Sequence, residues 1–183
     1  MSVTPDELVV LVDDAGQPIG QSLKSDVHGI QTPLHLAFSV HVFDDLDRVL
    51  LTRRALSKRT WPGVWSNTCC GHPAPGEPVT DALRRRLTFE LGLEVGDLRC
   101  VLPDFAYTAT DASGILENEI CPVFEARLLH PGPSLTANPD EVMDWKWVQW
   151  DDLTRAVRVA PFAFSPWAVS QIRQLDQRRP EQQ

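Results

Sequence analysis

The sequence predicts an α+β or α/β sandwich, because short apolar runs that end at turn-forming residues are interspersed with a few amphipathic helical segments. Hydrophobic residues make up 43% of the chain and charged residues 23%, which is typical of a globular protein. No internal repeat or low-complexity linker divides the 183 residues, a length sufficient for one domain with a buried core. We therefore expect a single domain over residues 1–183, with a polar tail from about residue 178.

Six runs are predicted to be strands because they are apolar or β-branched and are bounded by turn-forming residues. They cover residues 8–12, 34–43, 49–53, 66–70, 115–128 and 142–150. The acidic turn at 44–47 predicts a hairpin between the second and third runs, and Pro122 predicts a bend within the fifth.

The clearest helix is predicted over 77–91, where leucines recur every four residues and form a stripe for the core. We expect a polar residue such as Thr80 to cap this helix and Gly92 to end it. Two later helices are predicted to begin at Asp151 and at Ser165, which precedes a proline in the first turn.

The acidic balance of the chain restricts its partners. A net charge of −8 and a pI of about 5.0 argue against non-specific binding to nucleic acid or to an anionic membrane. No apolar run approaches the ~20 residues of a spanning helix, so we expect a cytoplasmic protein, with a monomer favoured. The spacing of the four cysteines does not suggest disulfides.

Basic residues cluster in the first half of the chain. They are Lys24, Arg53, Arg54, Lys58, Arg59, Arg84, Arg85 and Arg86. In an acidic protein such clusters either converge on an anionic ligand or belong to a solvated mixed surface, and the pattern leaves both interpretations open.

Three histidines and two glutamates have the chemistry of a divalent-metal site. They are His28, His35, His72, Glu117 and Glu119. The two glutamates are separated by one residue, so on a strand they share a face. Five or six nitrogen and oxygen ligands suit Mn, Mg, Zn or Fe rather than a closed structural zinc site. Scattered surface groups are an equal alternative, because spacing alone does not show convergence.

Two side chains can transfer protons. Cys70 is either a reactive thiol or a small buried hydrophobe, and its neighbour Cys69 points to the opposite side if the segment is extended. Glu119 can act as an acid or a base provided that one of its oxygens is free of metal. Together a thiol and a carboxylate offer two proton-transfer groups that need no water nucleophile.

The stretch over 71–93 resembles the Nudix box of diphosphate hydrolases, G-x5-E-x7-R-E-U-x-E-E-x-G-U, where U is a bulky aliphatic residue. It retains Gly71, Glu77, Arg85, Leu87, Glu90, Gly92 and Leu93. Arg86 and Phe89 stand where the box has glutamates, which gather metal ions and activate water. This pattern indicates a site that holds a diphosphate without cutting it.

Further segments, taken in order, resemble type 1 isopentenyl-diphosphate delta-isomerase of the Nudix superfamily. They cover residues 34–38, 52–58, 61–65, 70–72, 90–92, 117–119, 140–144 and 164–167. The resemblance implies a Nudix-like α/β/α sandwich around a mixed sheet. It also implies that the substrate is a prenyl diphosphate and that the reaction interconverts isopentenyl and dimethylallyl diphosphate.

The resemblance also implies roles for individual residues. It assigns the three histidines and two glutamates named above as ligands of a divalent ion (Mn²⁺, Mg²⁺ or Zn²⁺). It assigns Glu90 and the Cys70 carbonyl as a Mg²⁺ site. Cys70 and Glu119 become the proton-transfer pair, in an order that stays open, with Tyr107 and Trp167 as partners. The residues implied to bind the diphosphate are Lys24, Arg54, Lys58 and Arg86.

Two other functions compete with this interpretation. A Nudix hydrolase is disfavoured because glutamates are missing at positions 86 and 89. A non-catalytic phosphate-binding domain leaves the thiol, the carboxylates and the three histidines unexplained.

Overall fold

A computed structural model describes residues 7–130 and 135–179. The strands are β1 (Leu8–Val12), β2 (Pro18–Leu23), β3 (His35–Leu36), β4 (Phe38–Phe43), β5 (Arg48–Arg54), β6 (Trp65–Ser66), β7 (Cys69–Gly71), β8 (Val95–Leu102), β9 (Ala106–Thr110), β10 (Leu116–Ile120), β11 (Val123–Leu128) and β12 (Val142–Gln149). The helices are α1 (Lys24–Val27), α2 (Val79–Leu91), α3 (Trp150–Val159) and α4 (Pro166–Arg178), with a 3-10 turn at Pro161–Ala163. No helix within the described ranges is long and apolar enough to cross a membrane.

The strands form two mixed sheets. One has the order β2-β1-β3-β10-β9, and the other has the order β12-β5-β4-β11-β8, with β6 on β5 and β7 on β4. Strand β3 runs parallel to β10, and β4 runs parallel to β11, whereas the other pairs are antiparallel. These mixed sheets with their helices confirm the predicted α+β class.

Helices cover both faces of the larger sheet. On one face, Val40 and Leu50 pack with leucines of α2, and on the other, Phe43 and Leu51 pack with α3 and α4. Burying both faces of a sheet under helices requires apolar residues on both sides of its central strands, and β4 is buried at all six positions. This sandwich accounts for the core of the described chain.

Two runs that were predicted to be single strands are each divided between the sheets. The run over 34–43 breaks at Ala37 into β3 and β4, and the run over 115–128 breaks at Pro122 into β10 and β11. Backbone hydrogen bonds from Ala37 to Ile120 and from Ser39 to Pro122 continue the parallel pairing across both breaks. The crossing strands therefore join the two sheets at one place.

The predicted N-terminal cap of helix α2 is wrong, whereas its predicted C-terminal end is confirmed. Its N-cap is Pro78 and no side chain caps it, so the predicted cap at Thr80 is wrong. Gly92 ends the helix as predicted: its φ is 64°, the left-handed region that favours glycine, and its backbone N–H donates to the Thr88 carbonyl. The predicted stripe of Leu83, Leu87 and Leu91 is fully buried.

The other predicted helices and strands are confirmed in part. The hairpin β4–β5 is confirmed, α3 begins one residue before Asp151, and Ser165 is the N-cap of α4 without a capping hydrogen bond from its side chain. The run over 66–70 is interrupted between β6 and β7. Strands β2, β8 and β9 and helix α1 were not predicted.

We predict that Gly71→Ala lowers the free energy of unfolding by about 1–3 kcal/mol, the typical cost of overpacking a core. A Cβ at position 71 would lie 2.9 Å from Phe38 Cζ and 2.9 Å from Arg86 Cγ. Gly96→Ala is the matched control, since its Cβ would meet only Leu129 Cδ1 at 3.4 Å. Urea unfolding measures both variants, and equal effects would contradict close packing between β7 and α2.

Candidate active site

One cavity of about 440 Å³ gathers most of the predicted site residues. Its lining includes Lys24, His28, Arg54, Lys58, Cys70, His72, Arg86, Tyr107, Glu117, Glu119 and Trp167. A larger groove, about 1330 Å³, lies over β8, β11 and α4 and contains none of the predicted site residues. Chemistry rather than volume therefore identifies the candidate site.

The parallel pairing of β3 and β10 places His35 directly beside Glu119. His72 follows β7, and His28 follows α1, so four segments deliver these side chains. Ligand atoms of His28, His35, His72 and Glu119 all lie within 4.8 Å of one another. The structure thus brings together residues that the sequence left as either a site or scattered groups, and this cluster can hold a divalent metal ion.

Backbone carbonyls orient two of the imidazoles. His35 Nδ1 lies 2.9 Å from the Pro33 carbonyl oxygen, and His28 Nδ1 lies 3.3 Å from the Lys24 carbonyl oxygen. A carbonyl only accepts hydrogen bonds, so each Nδ1 carries a proton and each Nε2 is directed into the cluster, towards Glu119 or Glu117. This is the arrangement that fixes the tautomer of metal-binding histidines.

Buried polar atoms in the cluster lack hydrogen-bond partners among the described residues. They include His28 Nε2, His35 Nε2 and Glu117 Oε2. Glu117 is outside the group of four, but its Oε2 lies 2.9 Å from His28 Nε2, and its Oε1 accepts a hydrogen bond from Thr60. Buried nitrogen and oxygen atoms that converge without partners fit the ligand set of a divalent cation.

Glu119 is buried yet ionised. Burial raises the pKa of its carboxyl, but hydrogen bonds from His35 and His72 outweigh burial and hold the pKa well below its usual range. Its Oε1 lies 3.0 Å from His72 Nε2 and 3.5 Å from His35 Nε2. Burial lowers the pKa of His72 to about 4, so this imidazole is neutral at physiological pH.

The four predicted diphosphate-binding cations lie around the same cavity, and three of them are paired with carboxylates. Lys24 Nζ lies 2.5 Å from Glu7, and Lys58 pairs with Glu141. Arg86 is buried and contacts three carboxylates: Glu90 at 2.5 Å, Glu141 at 3.1 Å and Glu7 at 3.2 Å. The sequence assigned no role to Glu7, for which no motif gave a signal, or to Glu141, which lies in the matching segment 140–144.

Arg54 is held differently from the other three cations. Its guanidinium donates to the Thr60 carbonyl at 2.8 Å and lies 5.2 Å from the centroid of the Trp167 ring. Trp167 is itself buried, and the Tyr107 ring lies 5.5 Å from it. An aromatic wall thus borders the cationic side of the cavity, and a π face so placed attracts positive charge.

Cys70 and Cys69 point to opposite sides of β7. Cys69 is buried in the core beneath α2, whereas Cys70 is partly buried and lines the cavity. Burial raises the pKa of the Cys70 thiol to about 11, although the hydrogen bond with the Ser39 hydroxyl lowers it. The thiol is therefore protonated at neutral pH, and its sulfur lies 3.1 Å from both Ser39 Oγ and Asn67 Oδ1.

Known proteins resemble this chain in sequence along most of its length. Residues 33–168 match the NUDIX domain family. The Isopentenyl-diphosphate Delta-isomerase of Agromyces mediolanus is 61% identical over 170 residues, which cover 92% of this chain and 81% of that protein. The Isopentenyl-diphosphate Delta-isomerase of Brevibacterium linens is 57% identical over 169 residues, covering 92% and 91%.

Solved structures with low sequence identity share the fold. DR0079 from Deinococcus radiodurans has a TM-score of 0.70 at 18% identity, covering 92% of this chain and 98% of its own. The MutT protein from Methanosarcina mazei Go1 has a TM-score of 0.59 at 14% identity, covering 82% and 98%. At such identities the likeness concerns the fold alone.

We predict that His72→Ala loses one bound divalent ion per chain, because it removes one of the four convergent ligand groups. The measurement is elemental analysis after loading with Mn²⁺ and gel filtration. His130→Ala is the control, since His130 is exposed and lies outside the cluster. Full retention of the ion by His72→Ala would contradict the proposed ligand set.

Proposed function

The chain belongs to the isopentenyl-diphosphate Delta-isomerases within the NUDIX domain family, and we propose that it interconverts isopentenyl and dimethylallyl diphosphate, a step of isoprenoid biosynthesis. The observation that carries this proposal is the shared cavity of Cys70 and Glu119, with the four cations around it. A thiol and a carboxylate are proton-transfer groups, and the cations match a diphosphate. One cavity therefore contains proton-transfer groups for the alkene of the substrate and cations for its diphosphate.

Hydrolysis is the weaker candidate because the helix that carries the box has lost two of its three clustered glutamates. Only Glu90 remains in this part of the box, and it pairs with Arg86 of the same helix. Phe89, the other replacement, has no oxygen to offer a metal ion. A site of this composition binds a diphosphate better than it activates water.

The metal-binding residues are the five that the sequence indicated. His28, His35, His72 and Glu119, with Glu117 beside His28, hold one divalent ion, which is Mn²⁺, Mg²⁺ or Zn²⁺. Glu90 and the Cys70 carbonyl would hold Mg²⁺, as the family resemblance implies. When bound, the two ions supply positive charge to Glu119 and to the substrate diphosphate. The orphaned nitrogen and oxygen atoms of the cluster support the first assignment.

Lys24, Arg54, Lys58 and Arg86 bind the diphosphate. Three of these cations contact Glu7, Glu90 or Glu141, so an incoming diphosphate competes with carboxylates for them. Arginine is suited to this exchange because its planar guanidinium can hold two phosphate oxygens at once. The carboxylates keep the buried charge of Arg86 neutralised in the absence of such an anion.

In the reaction, the substrate gains one proton at one carbon and loses one proton at another, and its double bond moves as a result. An acid gives a proton to the terminal alkene carbon, and the electron pair of the double bond forms the new C–H bond, which leaves a tertiary carbocation. A base then takes a proton from the carbon nearer the diphosphate, and that C–H pair becomes the new double bond. Cys70 and Glu119 supply the two groups.

The intermediate must be kept from water. Trp167 is buried and lines the cavity, and the Tyr107 ring lies 5.5 Å from it at an interplanar angle of 37°. A desolvated cation gains roughly 2 kcal/mol from an aromatic face, and aromatic side chains beside the cation leave less room for the water that would trap it. Burial raises the pKa of Tyr107 well above its usual range, so its phenol stays protonated beside the carboxylates.

We expect the purified protein, supplied with Mg²⁺ and Mn²⁺, to convert isopentenyl diphosphate into its allylic isomer without releasing phosphate. Proton NMR follows the isomer, and a colorimetric assay follows phosphate. Phosphate release without an isomer would overturn the proposal in favour of a hydrolase.

Paired cysteine variants serve as the control for the chemistry. Cys70→Ala removes a proton-transfer group and should lower kcat by at least about 100-fold. Cys69→Ala changes only the far side of β7 and should retain near-parent kcat. Parent-like turnover by Cys70→Ala would remove the thiol from the mechanism.

A further inference from the structure

We propose that Asn67 is a positioning residue, which holds the Cys70 thiol and the Trp167 indole in a fixed arrangement for the double-bond shift. This proposal rests on the proposed isomerase function. Asn67 lies in the interruption between β6 and β7 and is only 1% exposed. Its single oxygen Oδ1 lies 3.1 Å from Cys70 Sγ and 3.1 Å from Trp167 Nε1, and it also accepts a hydrogen bond from Ser66 Oγ at 3.0 Å.

The partners of the amide determine its orientation. Asn67 Nδ2 donates to the Val40 carbonyl at 3.1 Å and to the Cys69 carbonyl at 2.8 Å. Carbonyl oxygens cannot donate, so the amide nitrogen must face them. The indole N–H of Trp167 can only donate, so it requires the amide oxygen. Flipping the amide would break every one of these bonds.

This fixed oxygen determines the direction of the thiol hydrogen. Ser39 Oγ accepts a hydrogen bond from Gln171 Nε2 at 2.9 Å, which leaves its own hydrogen for the nearer of two sulfurs, Cys70 Sγ at 3.1 Å rather than Cys121 Sγ at 3.4 Å. Cys70 Sγ can therefore accept from Ser39 at 3.1 Å while its S–H donates to Asn67. Two hydrogen bonds from opposite partners hold the thiol in one rotamer.

The same oxygen sets the position of the aromatic wall. Trp167 lies in the first turn of α4, whereas Cys70 lies in β7, and Asn67 Oδ1 contacts both. A shared acceptor couples the two groups, so that a shift of one must displace the other. A misplacement of about 1 Å is enough to slow an enzymatic step by about 100-fold.

The test uses Asn67→Ala in a Cys100→Ser background, which removes the exposed cysteine. Iodoacetamide labelling near pH 8, read at each cysteine by mass spectrometry, should rise about five- to tenfold at Cys70, because the thiol proton loses its acceptor. Cys69 and Cys121 should stay protected. The kcat should fall at least about tenfold and KM change less than about threefold, since the diphosphate-binding cations are untouched.

Thr68→Val is the matched control. Thr68 is the next residue and fully buried, and its hydroxyl bonds Leu50 O and Val42 N without reaching the thiol. In the Thr68→Val variant, the labelling of Cys70 and the kcat should stay within about twofold of the parent protein. A joint rise in labelling at all three cysteines of Asn67→Ala, or unchanged Cys70 labelling and kcat, would overturn the proposal.

A conservative variant keeps the test decisive if Asn67→Ala does not fold. Asn67→Asp retains the shape, and burial beside the Val40 and Cys69 carbonyls keeps its carboxyl protonated, so that one oxygen donates to a carbonyl while the other still accepts from the thiol. Cys70 labelling should therefore stay at or below the parent rate. Faster labelling would contradict the role of Oδ1. The labelling does not depend on turnover: a parent protein that fails to isomerise would overturn the proposed function, and the labelling pattern would still decide the role of Asn67.

Discussion

The parallel pairing of β3 with β10, continued as β4 with β11, is the constraint on which the site depends. It sets His35 beside Glu119, and because β7 pairs with β4, it also carries Cys70 and His72 to the same place. Both strand pairs pass from the smaller sheet to the larger one at Ala37 and Pro122. Main-chain hydrogen bonds across these breaks hold the sheets together, so the metal ligands and the thiol share a rigid support.

Charge balance is the second requirement, because the cavity gathers cations and carboxylates that would each be costly to bury alone. Arg86 contacts Glu7, Glu90 and Glu141, which raise its pKa despite burial. On the proposed function, the helix that carries the box combines a cation for phosphate oxygens with a single carboxylate for metal. Arg86 and Phe89 in place of acids would then remove water activation while diphosphate recognition remains.

Much of the fold followed from local pattern. Leucines every four residues placed the buried face of α2, and Gly92 marked its end. Pro122 predicted the bend in its own run, whereas the break at Ala37 was not predictable, since it arises from pairing with Ile120, about 80 residues further along the chain. Strands β2, β8 and β9 were missed because exposed positions interrupt their apolar pattern. At the site, motif residues were named in advance, whereas the contacts of Asn67 are not encoded by spacing, and the matching segment 140–144 gave Glu141 no role.

We propose that this hydrolase-like frame moves a double bond by two separate proton transfers. Turnover of isopentenyl diphosphate in D₂O, with the product analysed by NMR and mass spectrometry, tests this mechanism. We expect dimethylallyl diphosphate that carries solvent deuterium in a methyl group, with the diphosphate intact. Inorganic phosphate together with an unlabelled prenyl alcohol or monophosphate would contradict it.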